Sequence, residues 1–184
     1  PPGLIYNARQ RRGEGNDSLL VRTSLIDGAE EETVLPMGHH AMTQLPSGEV
    51  AWIGADIRPW ENPENGVVMD VQGDTVNVLT DTGENVEIFN AWNWSEPRIT
   101  EYFATSYIGD SKDWTHAHAL SRHPDRGPML VSLRTLRLLL EADMQTAGTV
   151  RVTRAEAWAA FTEDCPPFAY LLDPVVDKFE ERGR

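Results

Sequence analysis

The sequence holds little of what usually makes chemistry easy to read. A single cysteine, Cys165, occurs in 184 residues, which excludes an internal disulfide and any metal site built on paired thiolates. A reducing compartment, or a particle indifferent to its surroundings, is the expected setting. No stretch approaches the ~18 consecutive apolar residues of a membrane-spanning helix, and the opening PPGLIYNARQRRGEG has no apolar signal-peptide core. The expected location is the cytoplasm or a virion, away from membranes. Positive charge is scarce: 16 Lys and Arg against 29 Asp and Glu give a net charge of -13. That field repels phosphate and argues against a reader of nucleic-acid sequence. No phosphate-binding loop, dinucleotide fingerprint or Gly-x-Ser-x-Gly elbow occurs, and Cys165 is followed by two prolines with no His nearby in sequence.

What the chain does have is β patterning. Residues 65–90 read NGVVMDVQGDTVNVLTDTGENVEIFN. Val67, Met69 and Val71 alternate with Val68 and Asp70, Val76 and Val78 with Thr75 and Asn77, and Val86 and Ile88 with Glu87. Period two with one wet face marks a half-buried sheet. Gln72-Gly73-Asp74 and Asp81-Thr82-Gly83 read as the turns between three strands of a meander. Asp-Thr-Gly also stands at the catalytic turn of aspartic proteases. Here it has no second copy and is flanked by Thr80 and Glu84, so it is read as a hairpin turn. Further strands are expected at residues 18–26, 50–57 and 99–108. The acidic run Glu30, Glu31 and Glu32 reads as a loop or helical turn, and residues 58–66, with two prolines, as a loop.

From Pro128 the period changes to about 3.6. Met129, Leu133, Leu136, Leu140 and Met144 share one helical face, with Pro128 and Gly148 suited to start and stop it. Thr153-Arg154-Ala155-Glu156 reads as a capping box opening a second helix, and a third is expected at residues 174–181. The fold class is therefore α+β: a small antiparallel β-barrel or sandwich, SH3-like or OB-like, with appended helices. Its expected parts are an extended N-terminal arm (1–17), a β-barrel domain built on the meander (18–108), a histidine-containing loop (109–127) and a C-terminal helical segment packed on the barrel (128–184).

Three groups of residues are candidates for function. Arg9, Arg11 and Arg12 lie in the polar arm, which is expected to order against a partner subunit. Trp60, Trp92 and Trp94 are surplus to a small barrel and are assigned to partner binding or interface packing. Asp113, His116, His118 and His123 cluster in the third group. His-x-His on a strand places both imidazoles on one face, where they can hold Zn or Fe with a third ligand from His123 or Asp113. His39 is a further candidate ligand, although adjacent residues point apart on a strand, so at most one of His39 and His40 is expected to join.

Two functions follow. The first is a non-enzymatic structural protein of a larger homo-oligomeric particle, most concretely a bacteriophage head, neck or tail component, with protein subunits as partners and no cofactor. The second is a metal-dependent enzyme using His116, His118 and His123 with Asp113.

Overall fold

The computed structural model describes residues 6–12, 16–97, 104–105, 108, 110–122, 129–136, 138–142 and 150–151. Strands account for nearly all of its regular structure. The first three, β1 (Tyr6–Arg12), β2 (Ser18–Ser24) and β3 (Glu30–Leu35), form an antiparallel sheet in that order. The expected arm is thus largely an edge strand of the chain's own sheet, with Arg9 opposite Val21, Arg11 opposite Leu19 and Arg12 opposite Ser18. Backbone ladder bonds hold any side chain, so polar composition did not prevent pairing. The acidic run is likewise a strand and not a loop: Glu31 sits opposite Arg22 across the ladder, a favourable opposite-charge register.

The central sheet contains β4 (His39–Gln44), β5 (Val50–Glu61), β6 (Val68–Leu79), β7 (Asn85–Asn90), β8 (Ala104–Thr105) and β9 (Lys112–Asp113). Two expectations fail here. First, β5 runs through Pro59, which pairs with Asp70 of β6. β4 covers β5 only along residues 50–53, so on that side Pro59 has no ladder bond to lose. Second, Gln72-Gly73-Asp74 is no turn but the middle of β6. Gly73 is needed for space: a Cβ there would stand 2.8 Å from Nε1 of Trp92. Asp81-Thr82-Gly83, by contrast, is the β6–β7 hairpin turn, with Gly83 at φ 83° and the Thr80 amide donating to the Glu84 carbonyl at 2.9 Å.

The third sheet, β10 (Ala117–Arg122), β11 (Met129–Leu133), β12 (Leu138–Ala142) and β13 (Val150–Arg151), overturns the expected helix over 128–148. Met129, Val131 and Leu133 are fully buried, as is Leu140 on the partner strand. An apolar run dense enough to satisfy a helical face also satisfies a strand buried on both faces, and here the β10 and β12 ladders decide. The histidine loop is corrected too, since it carries β9 and β10. The helices expected from residues 153 and 174, and most of the strand expected at 99–108, lie outside the described residues.

Among the described residues the architecture is therefore open, mostly antiparallel sheets with one parallel pair, β6 with β9, in place of a closed barrel. The one helix among the described residues is a single turn, α1 (Ala91–Trp94). No helix among the described residues is long and apolar enough to cross a membrane. The core has two clusters, and β5 feeds both: Val50 and Trp52 pack with Leu20, Leu35 and Leu79, while Ala51 and Ile53 pack with Val76, Trp114, Val131 and Leu140. Alternation along one strand therefore joins the first sheet to one face and the third sheet to the other.

Candidate functional site

The site forms where the edge of β6 changes partners. β9 pairs in parallel with Val71 and Gln72, and β7 pairs with residues 75–79. Asp74 falls between the two ladders, so its backbone and side chain need other partners. Its amide donates to Thr115 Oγ1 at 2.9 Å, and that hydroxyl donates back to Asp74 Oδ2 at 2.6 Å. The Ala117 amide also donates to Oδ2. Gln72 Nε2 donates to Oδ1 at 3.3 Å, and His39 Nε2 lies 3.1 Å from the same oxygen. The side chain is only 1% exposed. Burial alone would raise its pKa, but the contacts from His39, Thr115 and Ala117 outweigh burial and hold it below the ordinary carboxylate value.

Four histidines gather beside this carboxylate. β4 has a bulge between His39 and Met42, and His40 sits at φ 54°, which removes the ordinary strand alternation. Both rings consequently lie on the same side, with centroids 5.1 Å apart and the two Nδ1 atoms at 2.8 Å. Across from them, His116 also has a positive φ, 49°. Asp113 shapes that turn by accepting from the His116 amide at 2.8 Å and from its Nδ1 at 2.6 Å. The Arg134 amide donates to the His116 carbonyl at 3.0 Å and the Thr135 amide to the Thr115 carbonyl at 3.2 Å, tying the end of β11 to the same segment. The His116 and His118 rings are stacked at 6.0 Å, and the His40 ring lies 5.0 Å from the first and 4.9 Å from the second.

His116 and Asp113 are buried while His40 and His118 are exposed, so the cluster has a closed floor and an open mouth. Burial, reinforced by His39, His116 and His118, pushes the His40 pKa down to about 4. Burial, with His116 and Arg134, also lowers that of His118. Both are neutral imidazoles near pH 7, the form in which histidine ligates metals. Positive φ at a non-glycine residue costs on the order of 1 kcal/mol. Two of the three such residues among those described are His40 and His116, so backbone strain concentrates here.

The structure thus brings His116, His118 and Asp113 together as the spacing suggested, with Asp113 as the hydrogen-bond partner of His116. It adds both His39 and His40 to the cluster, because the bulge defeats the strand alternation by which adjacent residues point apart. His123 lies outside the described residues. Asp74 was missed because it was read as a turn residue. In an uninterrupted β6, parity would have placed it on the face of Val76, where a carboxylate needs dedicated partners. Trp60, Trp92 and Trp94 are half-buried against the main core cluster. Trp92 and Trp94 are not extended but helical, with the Asn90 side chain capping the turn. Trp92 donates through Nε1 to the Asp56 carbonyl at 2.9 Å and lies under the Arg58 guanidinium at 5.4 Å.

Among the described residues, no group of three or more His, Cys, Asp or Glu side chains is placed so that it could hold a metal ion. Comparison of the chain with models of known protein families, with curated proteins and with solved structures finds no match.

Proposed function

We propose that this chain is a metal-dependent enzyme whose ligands to a Zn- or Fe-class ion are His40, His116 and His118. One observation supports the reading most strongly: these three imidazoles, drawn from two distant segments, have centroids 4.9, 5.0 and 6.0 Å apart. Three imidazoles sharing one tetrahedral ion through nitrogens about 2.1 Å away would have centroids roughly 5 Å apart. Completing the shell requires the rings to turn from their present positions, and His40 and His118 lie at the exposed mouth of the cluster. Three protein ligands would leave a fourth position open toward solvent, the pattern of catalytic sites. An ion held there would supply Lewis acidity or an activated water. The test is titration of the chelator-stripped full chain with Zn(II) and Co(II). One equivalent is expected to bind, with the visible absorption of nitrogen-ligated Co(II), and a chain that binds neither ion in stoichiometric amount sinks the reading.

A second reading, a subunit of a homo-oligomeric assembly, is supported by exposed aliphatic side chains. Leu25 and Ile26 at the β2–β3 turn are 60% and 79% exposed, and Val34 on β3 is 52% exposed. Such residues favour a protein partner, without pointing to a virion in particular. Light scattering is expected to give a mass above the 20.6 kDa of one chain, and a stable monomer across concentration would overturn it.

A further inference from the structure

We propose that Asn65 is a site of slow covalent modification, converting to aspartate and isoaspartate through attack by the Gly66 nitrogen, and that Asn62 restrains the rate. Asn65 is the only asparagine in the chain followed by glycine, the one residue with no side chain to shield its own nitrogen. The pair stands exposed at the tip between β5 and β6, with Gly66 at φ 70°. Asn65 Oδ1 accepts from the Val67 amide at 3.0 Å. The ring closed by that bond contains both Asn65 Cγ and the Gly66 nitrogen, so electrophile and nucleophile are held together. The same amide stabilises negative charge on Oδ1 as Cγ becomes tetrahedral. What opposes reaction is the Gly66 amide's own bond to the Asn62 carbonyl, at 2.8 Å. The nitrogen must give up its proton to attack, so this bond has to open first. The buried Asn62 side chain keeps the tip closed by accepting from the Glu64 amide at 2.9 Å.

In the reaction the Gly66 nitrogen bonds to Asn65 Cγ, the Cγ–Nδ2 bond breaks, and ammonia leaves with the proton that the nitrogen lost. Water then opens the cyclic imide at either carbonyl carbon, giving aspartate or isoaspartate. Either product places a negative charge beside Val67 and Val68, which are 52% and 63% exposed. The β2–β3 turn supplies an internal control, because Asp27-Gly28 is built the same way. Asp27 Oδ1 accepts from the Ala29 amide at 3.2 Å, Gly28 has φ 74°, and its amide donates to the Ser24 carbonyl at 2.9 Å. There the contacts with Ser24 and the Ala29 amide hold the carboxyl below the ordinary carboxylate value. An ionised carboxylate resists a nucleophile and has no amine to lose, so the matching geometry stays unreactive at neutral pH.

The experiment holds the full chain at neutral pH, in buffer and in urea, and follows residues 65 and 27 over weeks by peptide mapping with mass spectrometry. Asn65 is expected to convert in both, more slowly in the folded chain, while Asp27 is unchanged when Asn65 has largely reacted. Folded Asn62→Ala is expected to convert about 2–10-fold faster, the effect of losing one hydrogen bond, with its rate in urea unaltered. Asn62→Ser, whose hydroxyl can accept from the Glu64 amide, is expected to recover much of the restraint. An Asn65 that stays intact in the folded chain after the unfolded chain has fully converted would overturn the site. Equal rates in the folded and unfolded chains, or an unchanged folded rate in Asn62→Ala, would overturn the restraint. A thermal melt checks that each variant is folded, and should Asn62→Ala not fold, the comparison of the unaltered chain with Asn62→Ser, in buffer and in urea, decides.

Discussion

Replacing Asp74 by alanine is expected to destabilise the fold by about 3–5 kcal/mol, the usual cost of removing one member of a buried charged network. The side chain is 1% exposed and receives hydrogen bonds from Thr115, Ala117 and Gln72 beside its contact with His39. Each partner left unsatisfied costs roughly 1–3 kcal/mol, and a domain of this size has about 5–15 kcal/mol in all. Asp74 also stands where the β7 and β9 ladders meet β6, so its loss separates the sheet from the histidine segment as well as leaving a hole. Urea denaturation of the variant measures the effect, and a loss below about 1 kcal/mol would contradict the buried network. The pH dependence has a definite sign. The folded pKa of Asp74 lies below its ordinary value of 3.8, so its contribution is fully present above that value. It is lost as the pH falls through the depressed folded pKa.

The double variant His116→Ala with His118→Ala is expected to lower metal affinity roughly a thousandfold or more, well beyond the roughly 10–100-fold typical of an orienting partner. His118→Ala is the cleaner single change, because that side chain is exposed and its removal leaves no buried cavity. His116 is buried at φ 49°, so alanine there keeps the strained backbone while losing the hydrogen bond to Asp113. Isothermal titration with Zn(II), alongside a thermal melt of each metal-free variant, separates lost ligands from lost folding. Stoichiometric binding retained by a folded double variant would show that the ion, if bound, sits elsewhere.

How much of this was legible depended on whether the relevant partners were local. The Asp81-Thr82-Gly83 turn needs only a glycine at positive φ and a few neighbouring hydrogen bonds, and it stands where the sequence placed it. The pairing of His116 with Asp113 is also short-range, three residues apart on a tight turn. Pro59 and Gly73 misled because both are usually breakers. Which edge of β5 is uncovered, and which indole lies over β6, are questions about other segments. The run from Met129 to Ala142 misled for a related reason. Its apolar residues satisfy a helical stripe and a doubly buried strand equally, and only the β10 and β12 ladders distinguish them.

By itself the sequence determined that the chain is acidic, cannot staple itself with disulfides, folds mainly through period-two strands, and concentrates metal-capable side chains around His116 and His118. The tertiary structure decided that the sheets stay open and that the expected helix is a hairpin. It also decided that His39 and His40 cross from β4 to meet His116 and His118 over Asp74. The physical reason is that alternation is a property of neighbours along one strand, whereas a bulge, a shared sheet edge and a carboxylate needing partners depend on segments far apart in the chain.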